Sequence, residues 1–289
     1  FWFVFYLLTL VLKTRHEPYT TTLAVIKMNI LKALLLIVLL LTFEVIISVG
    51  IHGLTQKNIP PEYSIHYFGL MYLIPKIIAY LIVFKIFKVN FYWKNTQNKL
   101  RTVELNILFY LLILTIGLEL LGRPFLDFSK IVDFIKDVPV EPYAKSEKLN
   151  ISIIYKGISA LIIAPIFEEL LFRKYMYTEL LKKYSSNLSI IISSVFFSLI
   201  HLPSYRNLIP TFIFGIVCCL VYRKTKNISY TIILHFLANL SCFILVNYGA
   251  SFYEWSFGLE YNFIYWILFG IGITLTLFGI KKIKTANTV

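Results

Sequence analysis

Apolar runs of membrane-spanning length recur along this 289-residue chain, at about 30–50, 67–86, 103–121, 149–172, 188–202, 208–222, 229–248 and 261–280. A helix needs about 20 apolar residues to cross a hydrocarbon core ~30 Å thick, so the pattern leaves few folds open. Backbone amides find no water in lipid, and a helix satisfies them within its own segment. The chain is therefore expected to be all-α, a polytopic transmembrane helix bundle of about eight spans plus a truncated N-terminal one. That last piece is residues 1–12, apolar but too short to cross. The runs at 188–202 and 208–222 are also short for a full crossing.

The formal charge of +13 would point to nucleic acid in a soluble protein. Here the basic residues gather around 13–32, 85–101, 173–183, 223–226 and 281–284, each group separated from the next by two apolar runs. That alternation is the positive-inside pattern. It predicts a multi-pass protein of the cell membrane with a cytoplasmic C-terminus, whose surroundings are the lipid bilayer and not nucleic acid. Cys218, Cys219 and Cys242 lie in apolar runs without the spacing of a metal knuckle or redox pair, and read as small buried side chains. The longest loop, residues 122–150, mixes charges with Phe125, Phe128, Ile131, Val132 and Phe134. It reads either as an amphipathic segment on the outer surface or as an ordinary polar connector.

Against this background three polar groups stand out. Glu168 and Glu169 are adjacent, with Arg173 one helical turn beyond Glu169, inside the run that starts at 149. An ionisable side chain near the bilayer centre is disfavoured by roughly 2.5 kcal/mol or more, so such groups face a bundle interior and mark a site. Phe197 and His201 close the 188–202 run, and His235 and Asn239 share one face of the 229–248 helix. At 1.5 Å per residue, Glu168 lies about 22 Å from the cytoplasmic surface, His201 about 20 Å, Asn239 about 15 Å and His235 about 9 Å. These depths overlap, with Pro165 expected to kink the first helix. Four groups from three helices are thus expected to converge near mid-membrane.

Glu-Glu-x-x-x-Arg at 168–173, Phe-x-x-x-His at 197–201 and His-x-x-x-Asn at 235–239, in that order on successive apolar helices, resemble the CPBP family of intramembrane proteases, also called the type II CAAX prenyl endopeptidase or Abi family. The resemblance covers about residues 150–250. It divides the chain into N-terminal helices and an outer loop (1–150), a protease-like core (151–250), and a final helix with a basic tail (251–289). Lys174 departs from the pattern, standing where many members have glycine.

The resemblance implies catalytic roles for Glu168, His201, His235 and Asn239, with Glu169 and Arg173 supporting. Glu168 and His201 would deprotonate a water, while His235 and Asn239 would stabilise the oxyanion. Glu169 is expected to pair with Arg173 and leave Glu168 free. The spacing His-Glu-x-x-His is absent, which favours a metal-free mechanism. Zinc held by Glu168, His201 and His235 is the alternative, since the family is often described as metalloproteases. The substrate would be a membrane-associated peptide or lipidated protein, as in CAAX-type processing or bacteriocin immunity.

A non-catalytic membrane scaffold, or a transporter using the same polar cluster, is the competing reading. Inverted repeats would mark a transporter, and none is visible. Phe197, Phe212 and Gly215 read as packing residues. Glu44 and Lys76, on consecutive spans at about 9 and 13 Å from the outer end, read as a structural ion pair. Glu119 and Arg123, one turn apart, read the same way.

Overall fold

The computed structural model describes residues 28–55, 59–60, 63–89, 104–137, 151–202 and 205–283, and among these there is no strand. The apolar run at 1–12 and the basic residues at 90–101 lie outside the described residues. Helices α1 (Ile30–Thr55), α2 (Ser64–Ile86) and α3 (Leu105–Leu126) are followed by a short surface helix, α4 (Phe128–Ile135). A long helical rod, α5, covers residues 151–181. Then come α6 (Ser186–Leu199), α7 (Leu208–Thr225), α8 (Ile228–Tyr248), α9 (Ala250–Gly258) and α10 (Phe263–Lys282).

The protein is an all-α, multi-pass membrane bundle. Six of its described helices are long and apolar enough to cross a bilayer. They correspond to six of the eight apolar runs. The run at 188–202 forms the 14-residue α6, too short for a full crossing, and the run at 149–172 continues as α5 to residue 181. Of the expected outer segment, α4 is formed with Phe128 and Ile135 exposed, and the rest of that loop lies outside the described residues.

Side-chain identity explains where the helices touch. Leu36 and Leu40 of α1, Tyr80 and Phe84 of α2, Phe167 and Phe172 of α5 and Phe197 of α6 make one buried cluster. Leu111 and Leu114 of α3, Val217 and Val221 of α7 and Leu234 of α8 make a second. Lipid is as apolar as leucine, so helices in a membrane gain most from close packing of small residues. On α3 and α10 those residues are Gly117 and Gly272. A Cβ on Gly117 would sit 2.8 Å from the backbone nitrogen of Thr276, and one on Gly272 would sit 2.6 Å from that of Leu121.

The helix ends follow from local chemistry. Asn227 caps α8 by accepting from the Ser229 amide at 3.0 Å, and Asn262 caps α10 by accepting from the Ile264 amide at 2.9 Å. Lys226, between α7 and α8, takes the left-handed conformation that ends a helix (φ 50°).

Candidate functional site

The local structure of α5 sets up the site. Its first α-helical stretch ends at Ile158, a π-helical turn covers Ser159–Ile163, Ala164–Glu169 is α-helical, and a second π-turn covers Leu170–Tyr177. In the first turn the amide of Ala164 donates to Ser159 O, five residues back, and so bypasses Ala160 O. The next amide that a π-turn would offer to Ala160 O belongs to position 165, a proline without an N–H. The Ala160 carbonyl is therefore left to a partner outside the helix. Asn239 of α8 supplies it, donating from Nδ2 at 2.6 Å.

Glu168 and Glu169 follow Pro165 and are both buried, at 3% and 0% exposure. They face different neighbours. Glu169 Oε1 lies 3.1 Å from Arg173 Nη1, which is the pairing expected one turn along the helix. The same oxygen lies 2.9 Å from His235 Nδ1, a contact across 66 residues of sequence. Against an ionised Glu169, Nδ1 is the donor and Nε2 is the atom His235 presents to the cavity. Nε2 is 3.9 Å from Glu168 Oε2, an oxygen that accepts no hydrogen bond from a described residue.

His201 comes from the other side. Its Nδ1 is 2.9 Å from Phe197 O. A carbonyl only accepts, so Nδ1 carries the proton and a neutral His201 keeps a free lone pair on Nε2. Phe197 also links the three motifs. The Arg173 guanidinium sits 4.1 Å from its ring centre, and the rings of His201 and His235 lie 5.1 and 5.8 Å away. Phe214 of α7 closes the group, 5.0 Å from the His235 ring. Gly215 lets α7 approach: a Cβ there would meet Ser194 of α6 at 3.0 Å.

A cavity of about 530 Å³ brings Glu168, His201, His235 and Asn239 together with Lys76. All four sequence-predicted catalytic candidates thus border one space, and Glu169 and Arg173 are packed behind it. Glu44 and Lys76 do not form the expected ion pair; no oxygen of Glu44 is within 4.0 Å of Lys76 Nζ, and Lys76 faces the cavity instead. Arg123 pairs with Asp127 at 3.2 Å, while Glu119 accepts from Ser241 at 3.5 Å.

Two features carried no sequence signal that singles them out. The freed Ala160 carbonyl depends on a π-turn, for which Pro165 is only a partial cue. The place of Phe214 depends on how α7 packs. Phe197 was legible as part of Phe-x-x-x-His, but its contact with Arg173 was not.

A metal would need several ligands turned toward one point. Among the described residues no three His, Cys, Asp or Glu side chains are so grouped. His235 Nδ1 and His201 Nδ1 are both engaged by oxygen acceptors, leaving one nitrogen on each ring.

Fold and site together define a class: a multi-pass helical membrane protein with a buried carboxylate and two histidines around one cavity. Residues 150–241 match the family described as Type II CAAX prenyl endopeptidase Rce1-like, a family of proteases. The three motifs that carried the resemblance, at 168–173, 197–201 and 235–239, all fall within the matched residues. A stretch of 79 residues is 37% identical to UPF0177 protein YxdF of Lactococcus lactis subsp. lactis (strain IL1403). It covers 27% of this chain and 43% of that protein, so the chain spans less than half the length of this curated relative. No solved structure matches.

Proposed function

We propose that the chain is an intramembrane endopeptidase that cuts a peptide or lipidated protein near the bilayer by carboxylate-activated water, in the cell membrane and with its C-terminus in the cytoplasm. The observation that carries this reading is the position of Glu168: a buried carboxylate whose Oε2 accepts no hydrogen bond from a described residue, bordering the same cavity as His201, His235 and Asn239.

In the proposed reaction a water bound between Glu168 and His201 Nε2 loses a proton to the Glu168 carboxylate as its oxygen attacks the scissile carbonyl. The oxyanion that forms is met by donors on α8. For His235 this requires a proton on Nε2 as well as on Nδ1, so the ring is cationic, and before the reaction Glu168 and Glu169 together balance it and Arg173. Asn239 keeps one amide N–H after satisfying Ala160 O. Collapse of the intermediate breaks the C–N bond, and the proton held by Glu168 passes to the leaving amine. The products are a carboxylate and an amine, with no redox change.

Arg173 and Glu169 act as positioning residues. Buried charges in lipid are tolerated when paired, and this pair fixes the side of α5 that turns inward. A scaffold or transporter would also accept buried charges. It would not need two histidines whose Nδ1 atoms are both committed, each presenting its Nε2 to one cavity.

The test is a comparison of the membrane peptidome of cells carrying the wild type with that of cells carrying Glu168→Gln. Peptides that depend on Glu168 support the reading. Identical peptidomes, with both proteins inserted at equal levels, contradict it.

A further inference from the structure

The cavity is not placed symmetrically in the bundle. On α5 its lining residues all fall between Ile153 and Glu168, in the half that begins at Ile151. On α8 they run from His235 to Asn247, toward the end at Tyr248. The two helices are antiparallel, since Glu169 meets His235 while Ala160, further back on α5, meets Asn239, further on along α8. His66, near the start of α2, meets Tyr155 near the start of α5, which puts those beginnings at the same end. The lining grows more exposed in that direction. Glu168 and His235 are each 3% exposed, whereas Tyr72 is 53% and Val246 63% exposed. Among the described residues the cavity is therefore closed at the carboxylate and open toward the end of the bundle that holds Ile151 and Tyr248.

The opposite end carries the positive charge. Lys85, Lys182, Lys183, Arg223, Lys224 and Lys282 all lie at helix ends there. Cross-helix bonds hold those ends together: Tyr175 donates to Phe87 O at 3.1 Å, and Lys224 Nζ donates to Ile280 O at 2.6 Å. The end with the mouth is mixed in sign, with Asp127, Asp133 and Glu254 among Lys130 and Arg206. Basic residues flanking spans stay on the cytoplasmic side, and acidic ones carry little weight in that choice.

We propose that the catalytic cavity opens on the non-cytoplasmic face of the membrane, so that the peptide it acts on reaches Glu168 from outside the cytoplasm. The lining fits an apolar peptide segment, with Ile153, Ala160, Phe243 and Val246 along the walls and Lys156 at the rim over the Tyr72 ring, 5.7 Å from its centre. The statement about the peptide rests on the peptidase reading; the statement about the face does not.

Single cysteines in a Cys242→Ser background test it, the two remaining native cysteines being buried. Lys156→Cys reports the rim, Ala160→Cys the cavity wall one turn deeper, and Lys182→Cys the basic end. A charged, membrane-impermeant methanethiosulfonate is added to intact cells and again after permeabilisation. The expected result is modification of Lys156→Cys and Ala160→Cys in intact cells and of Lys182→Cys only after permeabilisation. The reverse pattern overturns the proposal, and so does an Ala160→Cys that reacts only after permeabilisation or not at all. An impermeant quenched peptide library supplied to the same intact cells separates the two readings. Outward labelling with no Glu168-dependent cleavage leaves the face standing and removes the peptidase.

Discussion

Glu169 serves two partners with one oxygen: Oε1 is 3.1 Å from Arg173 Nη1 and 2.9 Å from His235 Nδ1. One buried carboxylate therefore ties the α5 motif to the α8 motif and sets which nitrogen His235 turns toward Glu168.

Removing that charge leaves Arg173 and His235 without their shared counter-charge at a place where Glu169 and Arg173 are both fully buried. Breaking a buried ion pair from one side costs about 3–5 kcal/mol, and Glu169→Gln is expected to fall in that range. Chemical denaturation in detergent measures it. Wild-type stability in this variant would show that the carboxylate is not needed to hold the two helices.

The Asn239–Ala160 contact yields a prediction about Pro165. Pro165→Ala supplies an amide N–H that competes for the carbonyls freed by the π-turn, so Asn239 loses its fixed position. Turnover is expected to fall while the protein stays folded and inserted, because replacing proline by alanine within a helix is not itself unfavourable. Unchanged turnover would mean that the carbonyl plays no part in placing Asn239.

Two donors acting on one oxyanion form a unit. His235→Ala or Asn239→Ala alone is expected to lower turnover roughly 100- to 1000-fold with little change in the Michaelis constant. The double substitution should be little worse than the poorer single one, since groups acting together are strongly non-additive. Steady-state kinetics on a fluorogenic peptide in detergent decide this. A raised Michaelis constant with unchanged turnover in Asn239→Ala would move the asparagine to substrate binding.

How far the sequence carried the account differs from residue to residue. Glu168, Glu169 and Arg173 were legible because charge in an apolar run is costly and therefore informative, and one-turn spacing led directly to the Glu169–Arg173 contact. Depth along each helix put Glu168 and His201 at a common level, about 22 and 20 Å, but set His235 at about 9 Å, although its Nε2 lies 3.9 Å from Glu168 Oε2. The bond between Glu169 and His235 was not legible either, because helical rise says nothing of how two helices are rotated about their axes. Helical rise misled at Glu44 and Lys76, which match in depth yet form no ion pair. The apolar runs foretold the bundle, but at 149–172 and 188–202 run length and helix length diverged. Length of hydrophobic sequence does not say where a helix stops.

The missing Glu44–Lys76 contact has its own consequence. Glu44 and Lys76 make no contact but still attract at longer range, so Glu44→Gln and Lys76→Met are expected to couple by less than about 3 kcal/mol in a double-mutant cycle. A coupling well above that value would show that the pair forms in the membrane.

A metal-free mechanism predicts that purified protein keeps most of its activity in phenanthroline. Stoichiometric zinc by elemental analysis, with activity lost on its removal and restored on its return, would make Glu168, His201 and His235 the ligands.

The central claim is that Glu168 is the base that activates water. The most direct measurement is turnover of a quenched peptide by purified wild type and Glu168→Gln at equal folded concentration, folding being checked by thermal melting. Glutamine keeps the shape of the side chain and removes its capacity to take a proton. The account predicts that cleavage by Glu168→Gln falls to the background of a protein-free control while the melting profile is retained. Cleavage by that variant at the wild-type rate would contradict it.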